Sequence, residues 1–189
     1  MRAGLSIVVA LATALLAWVP PSPALADGSW LDSPPANWNN AGMDIPAPDP
    51  AYAAAGGPQC ATLVPRPAAT DADTALTDAG WTLFSSYLGG WNTTIVRGLS
   101  GYDGMCRPMG YNAFVFVDGQ FAGTISPTAM DSRTDGAGDV RYFASKDTLV
   151  AEFQRYGPDD PLCCPSNTTD VTYQISRTPA GPVLVPHQS

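Results

Sequence analysis

Basic side chains, histidine and glutamate are scarce in this 189-residue chain: nine Lys plus Arg stand against 17 Asp plus Glu, with one His and a single Glu, Glu152. A net charge of −8 supplies no basic surface for a phosphate backbone, which excludes nucleic acid as a partner. Anionic membrane surfaces are poor partners for the same reason. The lone His187 is near the C-terminal end, so a His-dependent triad or a multi-His zinc site would have to be built from a frayed tail. A Gly-rich phosphate loop, a Cys-x-x-Cys pair, a Gly-x-Ser-x-Gly elbow and an internal repeat are also missing. No cofactor is expected from what remains.

The only long apolar run comes first. Arg2, the stretch Leu5 to Val19 and the small residues of Ala24-Leu25-Ala26 read as a signal peptide over 1–26, cleaved after Ala26. The run is short for a membrane span, which needs about 20 residues, and no second one follows, so no transmembrane span is expected. The processed chain would carry a charge of roughly −9. The first Cys is Cys60, so no Cys lies at the cleavage site to take a lipid. A secreted, periplasmic or extracellular protein that is not lipid-anchored is the expectation.

Residues 27–58 are rich in Pro, Ala, Asn and Gly and show no period, which reads as a flexible leader. Trp30 and Trp38 within it are the residues that would dock if it were an arm instead. Residues 59–189 suffice for a single domain with one core, expected as a monomer. Its periodicity is that of strands. Asp118-Gly119 is a two-residue hairpin turn, which pairs Val117 with Gln120 and places Phe114, Phe116, Phe121 and Ile125 on one face with Gly123 opposite Phe114. Ala113, Val115, Val117 and Ala122 fill the other face, so the hairpin is expected to be central and buried on both sides. Alternation at Leu149, Ala151 and Phe153 and at Val171, Tyr173 and Ile175 marks two more strands. The runs Trp81 to Tyr87, Thr93 to Leu99 and Val183 to Val185 add others, and Asp71 to Ala79, capped by Asp71 or Asp73, is the one short helix. The fold class is mainly β, with α+β as the alternative: one antiparallel-sheet domain around a central hairpin.

Four Cys in a secreted chain predict two disulfides. A bond between Cys163 and Cys164 would close a strained ring, so Cys60 and Cys106 are each expected to bond one member of that pair, in either of two connectivities. A functional vicinal disulfide or metal-binding thiol pair is the alternative. Other constellations are weaker. Asp131, Asp135 and Asp139 with Gly136 make half of a calcium loop, but Arg133 and Tyr142 stand where ligands belong, and Arg133 pairing with flanking Asp is the preferred reading. Met105, Cys106 and Met109 are the ligand type for Cu(I), though core-filling Met is the simpler account. Glu152 falls on the outward face of its strand, and no pair of carboxylates stands out for hydrolysis. No catalytic, cofactor-binding or metal residue is assigned.

These motifs together resemble the LppP/LprE-like bacterial envelope protein family. The resemblance rests on Gly80-Trp81, on Asp103-Gly104-Met105-Cys106-Arg107-Pro108, on the Phe114 to Gly123 hairpin and its continuation to Pro127, on Met130 to Gly136, and on Asp160-Pro161-Leu162-Cys163-Cys164-Pro165-Ser166. It implies secreted or lipid-anchored envelope proteins and carries over no catalytic residue or cofactor. Arg107, Arg133 and Arg155 read as partners of Asp103, Asp131, Asp135 and Asp160 in a stapled scaffold. The expected function is therefore non-enzymatic binding or structural support, with an envelope component or glycan as partner and Trp91, Tyr102 and Tyr111 as the first candidate contacts. Metal handling or thiol redox through Cys163 and Cys164 is the alternative, and a carboxylate-dependent hydrolase the third.

Overall fold

The computed structural model describes residues 29–53 and 58–188, and the signal segment expected over 1–26 lies outside them. After single 3-10 turns at Trp30–Asp32 and Pro50–Tyr52 come two short α-helices, α1 (Cys60–Leu63) and α2 (Asp71–Asp78). Eleven strands follow: β1 (Thr82–Leu83), β2 (Leu88–Gly90), β3 (Thr93–Leu99), β4 (Gly101–Tyr102), β5 (Pro108–Met109), β6 (Asn112–Val117), β7 (Gln120–Thr124), β8 (Gly138–Ser145), β9 (Thr148–Arg155), β10 (Asn167–Thr178) and β11 (Gly181–Gln188). All pairings are antiparallel, and the mainly β class stands.

The first sheet runs β1–β3–β6–β7, with β2 continuing the β1 edge of β3. The second runs β11–β10–β9–β8, and β4 pairs β5 apart from both. Ile95, Val115 and Ala122 of the first sheet meet Leu149, Phe153, Tyr173 and Leu184 of the second in one core. The opposite face of the first sheet carries Val96, Phe114 and Phe116 under Leu76 of α2 and Trp81. The hairpin is therefore buried on both faces, as its two apolar faces require. Across the main core the Tyr173 hydroxyl donates to the Ile125 carbonyl.

The hairpin turn forms as its sequence dictates: Asp118 and Gly119 both take positive φ, 51° and 78°, and Val117 pairs with Gln120. The register then shifts. A bulge between Val115 and Phe116 sets Gly123 opposite Val115, with Thr124 opposite Phe114. Ile125 consequently joins the inter-sheet core and not the Phe114 and Phe116 face. Gly123, at φ 138°, makes room for Asn39 and not for the Phe114 ring, since a Cβ there would stand 2.2 Å from the Asn39 Cγ.

That contact corrects the flexible leader. Across its described residues 29–53 the segment is a docked arm, because its few large side chains find partners in the core. Leu31 is buried, and Trp30 stacks edge-on against Trp38 and Phe153. The Trp38 indole donates to the Thr124 carbonyl at 3.1 Å. The Asn39 amide donates to the carbonyls of Thr124 (3.1 Å) and Leu184 (3.0 Å) and accepts from the Thr124 amide (2.9 Å). Those backbone groups belong to the edge strands β7 and β11, so one side chain stitches the two sheets where no ladder joins them.

Helix α2 begins at Asp71 as expected, but its cap is Thr70, one residue before the nearer of the expected caps. Thr70 accepts from Asp73, and Asp73 bonds back to the Thr70 amide, a reciprocal capping box. Strand β11 is longer than expected, and His187 is an exposed residue of that strand, opposite Thr172, in place of a frayed tail. Of the run Trp81 to Tyr87 only Thr82 and Leu83 form a strand, and Ser85 turns the chain at φ 57°.

Candidate functional site

The two sheets meet along a second seam, where β8 approaches β2 and β3. Phe143 of β8 packs on Gly90 and stands edge-on to Trp91, with ring centroids 5.9 Å apart. Farther along, Arg97 of β3 crosses to β8: its Nε donates to Asp139 Oδ2 at 2.6 Å and its Nη1 to the Ser86 carbonyl at 2.7 Å. Arg97 is a lone cation in a β-branched and apolar strand, and its side chain is only 12% exposed. At this position the seam opens into a cleft of about 290 Å³.

Its polar wall comes from neighbouring strands. Asp139 and Glu152 are directly opposed on β8 and β9, and Arg141 donates to Glu152 at 2.7 Å. The cleft thus carries two guanidinium groups and two carboxylates, and their charges cancel. Its aromatic part is Phe84 and Tyr111, edge-on at 5.8 Å. Burial, reinforced by the charge of Asp139, raises the Tyr111 phenol well above its ordinary range, so it stays a neutral hydrogen-bonding group. A cavity with an apolar floor and a few convergent polar groups suits a small polar ligand.

The sequence singled out Tyr111 and Glu152 separately, and the fold brings them into one cleft. Arg97, Asp139 in this role, Arg141 and Phe84 were missed. A single Arg inside the run Thr94-Ile95-Val96-Arg97 was the available signal, because such a charge needs a partner. Strand β8 itself went unread, since two register shifts break its alternation.

The other candidates separate. The three carboxylates of the half calcium loop turn to three different groups: Asp131 accepts from the Gly110 amide, Asp135 from Arg155 and the Tyr156 amide, and Asp139 from Arg97. Arg133, at φ 63°, makes no ion pair among the described residues, which corrects its expected pairing. Arg107 does pair with Asp103, and Arg155 with both Asp135 and Asp32. Asp160 instead accepts from the Gly157 and Ser166 amides, which hold its carboxyl below the usual range. Of the remaining aromatic candidates, Trp91 is 67% exposed and Tyr102 is half-buried in β4.

The disulfides also differ from the expected pairing. Cys60 bonds Cys106, and Cys163 bonds its neighbour Cys164. The β4–β5 hairpin carries Cys106 to Cys60 on α1, with 5.0 Å between Cα atoms, so neither is left to bond the vicinal pair. Cys60 is fully buried, whereas Cys163 and Cys164 are exposed in the loop between β9 and β10. With Cys106 bonded, the Met105, Cys106 and Met109 trio keeps only two thioethers, and Met105 is 70% exposed.

Residues 93–178 match the LppP/LprE lipoprotein family. The match opens on the first residue of β3 and closes on the last of β10. The LppP/LprE segment therefore contains the central hairpin, three of the four cleft charges on β8 and β9, Arg97, and the Cys163–Cys164 loop. The arm, α2, Gly80-Trp81 and β11 fall outside it. The match supports an envelope-associated protein, and among the described residues no helix is long and apolar enough to cross a membrane. No curated protein and no solved structure gives a significant match to the chain.

Proposed function

We propose that this is a secreted, envelope-associated binding protein and not an enzyme, and that the cleft between its sheets takes a neutral, hydroxyl-rich ligand such as an oligosaccharide. The observation that carries the reading is the balanced charge of the cleft. A charged ligand would have to displace one of the two ion pairs and leave its partner unmatched, at a desolvation cost. A sugar presents donors and acceptors together, which suits a cleft that offers both guanidinium and carboxylate groups, and its C–H faces suit Phe84 and Tyr111.

One observation favours the hydrolase reading: Asp139 and Glu152 share the cleft on adjacent strands. Each is ion-paired with its own Arg, and binding without turnover is the better account. Calorimetric titration with neutral oligosaccharides tests both. Saturable binding is expected, weakened about fivefold to tenfold by Arg141→Ala, an exposed position, with the sugar recovered intact. Cleavage products that vanish in Glu152→Gln would establish an enzyme and overturn the proposal.

A further inference from the structure

We propose that Cys163–Cys164 is a thiol–disulfide exchange site, open to a dithiol of a partner protein. A disulfide stabilises a fold chiefly by closing a loop in the unfolded chain. Cys60–Cys106 spans 46 positions and does so, whereas a bond between neighbours spans one and ties no two parts of the molecule together. The vicinal bond is thus poorly explained as a staple.

Its loop is held by other means. Asp160 Oδ2 accepts from the Gly157 amide at 2.7 Å and the Ser166 amide at 2.8 Å, which closes the loop at its base. The Tyr156 hydroxyl donates to the Leu162 carbonyl at 3.1 Å, and the Cys164 amide donates to the Pro161 carbonyl at 2.9 Å. Opening the S–S bond removes none of these. Both sulfur-bearing residues are exposed, beside Leu162 at 73% exposure, so the tip offers an apolar contact next to a reachable disulfide. Exposed disulfides are the labile ones, and exchange requires access of a thiolate to sulfur.

The step balances within the two proteins. A partner thiolate attacks one sulfur, breaks the Cys163–Cys164 bond and forms a mixed disulfide, and the other sulfur leaves as a thiolate that takes a proton. The partner's second thiolate then breaks the mixed disulfide. The partner is oxidised to its own disulfide, and two electrons and two protons reside on Cys163 and Cys164. All four cysteines of the chain are in the two bonds, so no third thiol intervenes.

The test uses the full secreted chain, purified without reductant, with reduced thioredoxin as the dithiol probe and differential alkylation read by mass spectrometry. Cys163 and Cys164 should be labelled at least about tenfold faster than Cys60 and Cys106, with unchanged circular dichroism. The Cys163→Ser/Cys164→Ser double variant should lose the fast phase while its Tm stays within about 2 °C of the parent. Reduction of both disulfides together as the chain unfolds would overturn the proposal, as would a large fall in Tm in the double variant.

Discussion

Replacing Asn39 by alanine removes a side chain that joins the edge strands β7 and β11 of the two sheets, and its cost can be worked from the groups it leaves behind. Asn39 is 1% exposed and makes three hydrogen bonds to backbone. After truncation the Thr124 carbonyl keeps the Trp38 indole, but the Thr124 amide and the Leu184 carbonyl lose the partner. Each buried group left unsatisfied costs about 1–3 kcal/mol, so the variant should lose about 2–6 kcal/mol, with about 4 the central value. Urea unfolding measures this as a shift in midpoint at constant slope. Asn37→Ala, an exposed position that bonds only the Asn39 backbone, should cost no more than about 1 kcal/mol. Gly123→Ala should be severe alone, because the new Cβ strikes the Asn39 amide, and less than additive with Asn39→Ala, which removes that amide. A stability of Asn39→Ala within about 1 kcal/mol of the parent would refute the stitch.

Two further outcomes follow from the covalent and ionic ties. Asp73, fully buried, takes both arms of the Arg66 guanidinium at 2.9 and 2.6 Å and two backbone amides, so Asp73→Asn should cost about 3 kcal/mol by urea unfolding. The Arg66 contact holds the Asp73 carboxyl below its ordinary value, so its contribution is present in full above the ordinary carboxylate range and is lost as pH falls through the lowered folded value. Acid unfolding of the parent should be shallower in Asp73→Asn, and equal acid sensitivity would count against the assignment. Cys60→Ser opens the loop that Cys106 closes and should cost about 4 kcal/mol on the chain-entropy model. Peptide mapping should find its free thiol at Cys106 with Cys163–Cys164 intact, and a free thiol at Cys163 or Cys164 would contradict the pairing.

Local chemistry was legible in the sequence where it acts locally. Asp118-Gly119 set the hairpin turn and its first pair because two residues fix that geometry by themselves. The register failed a few residues on, at Gly123, because the bulge accommodates Asn39, a residue far away in the chain that no strand period could announce. The arm was misread for a related reason. Its Pro-rich composition is that of a loop, but Trp30, Leu31, Trp38 and Asn39 are spaced to enter the core one at a time, without helical or strand period. The disulfides turned on the β4–β5 hairpin, which delivers Cys106 to α1, and four isolated letters could not say which approach occurs. At the cleft, Glu152 and Tyr111 were visible as residues but not as neighbours, since Asp139 and Arg141 sit on the irregular strand β8.

Amide chemical-shift mapping on addition of neutral oligosaccharides tests most directly whether the seam between the sheets is a ligand site. Saturable shifts confined to Arg97, Tyr111, Asp139, Arg141 and Glu152 are the predicted result. Saturable shifts elsewhere on the surface, with this set unmoved, would contradict it.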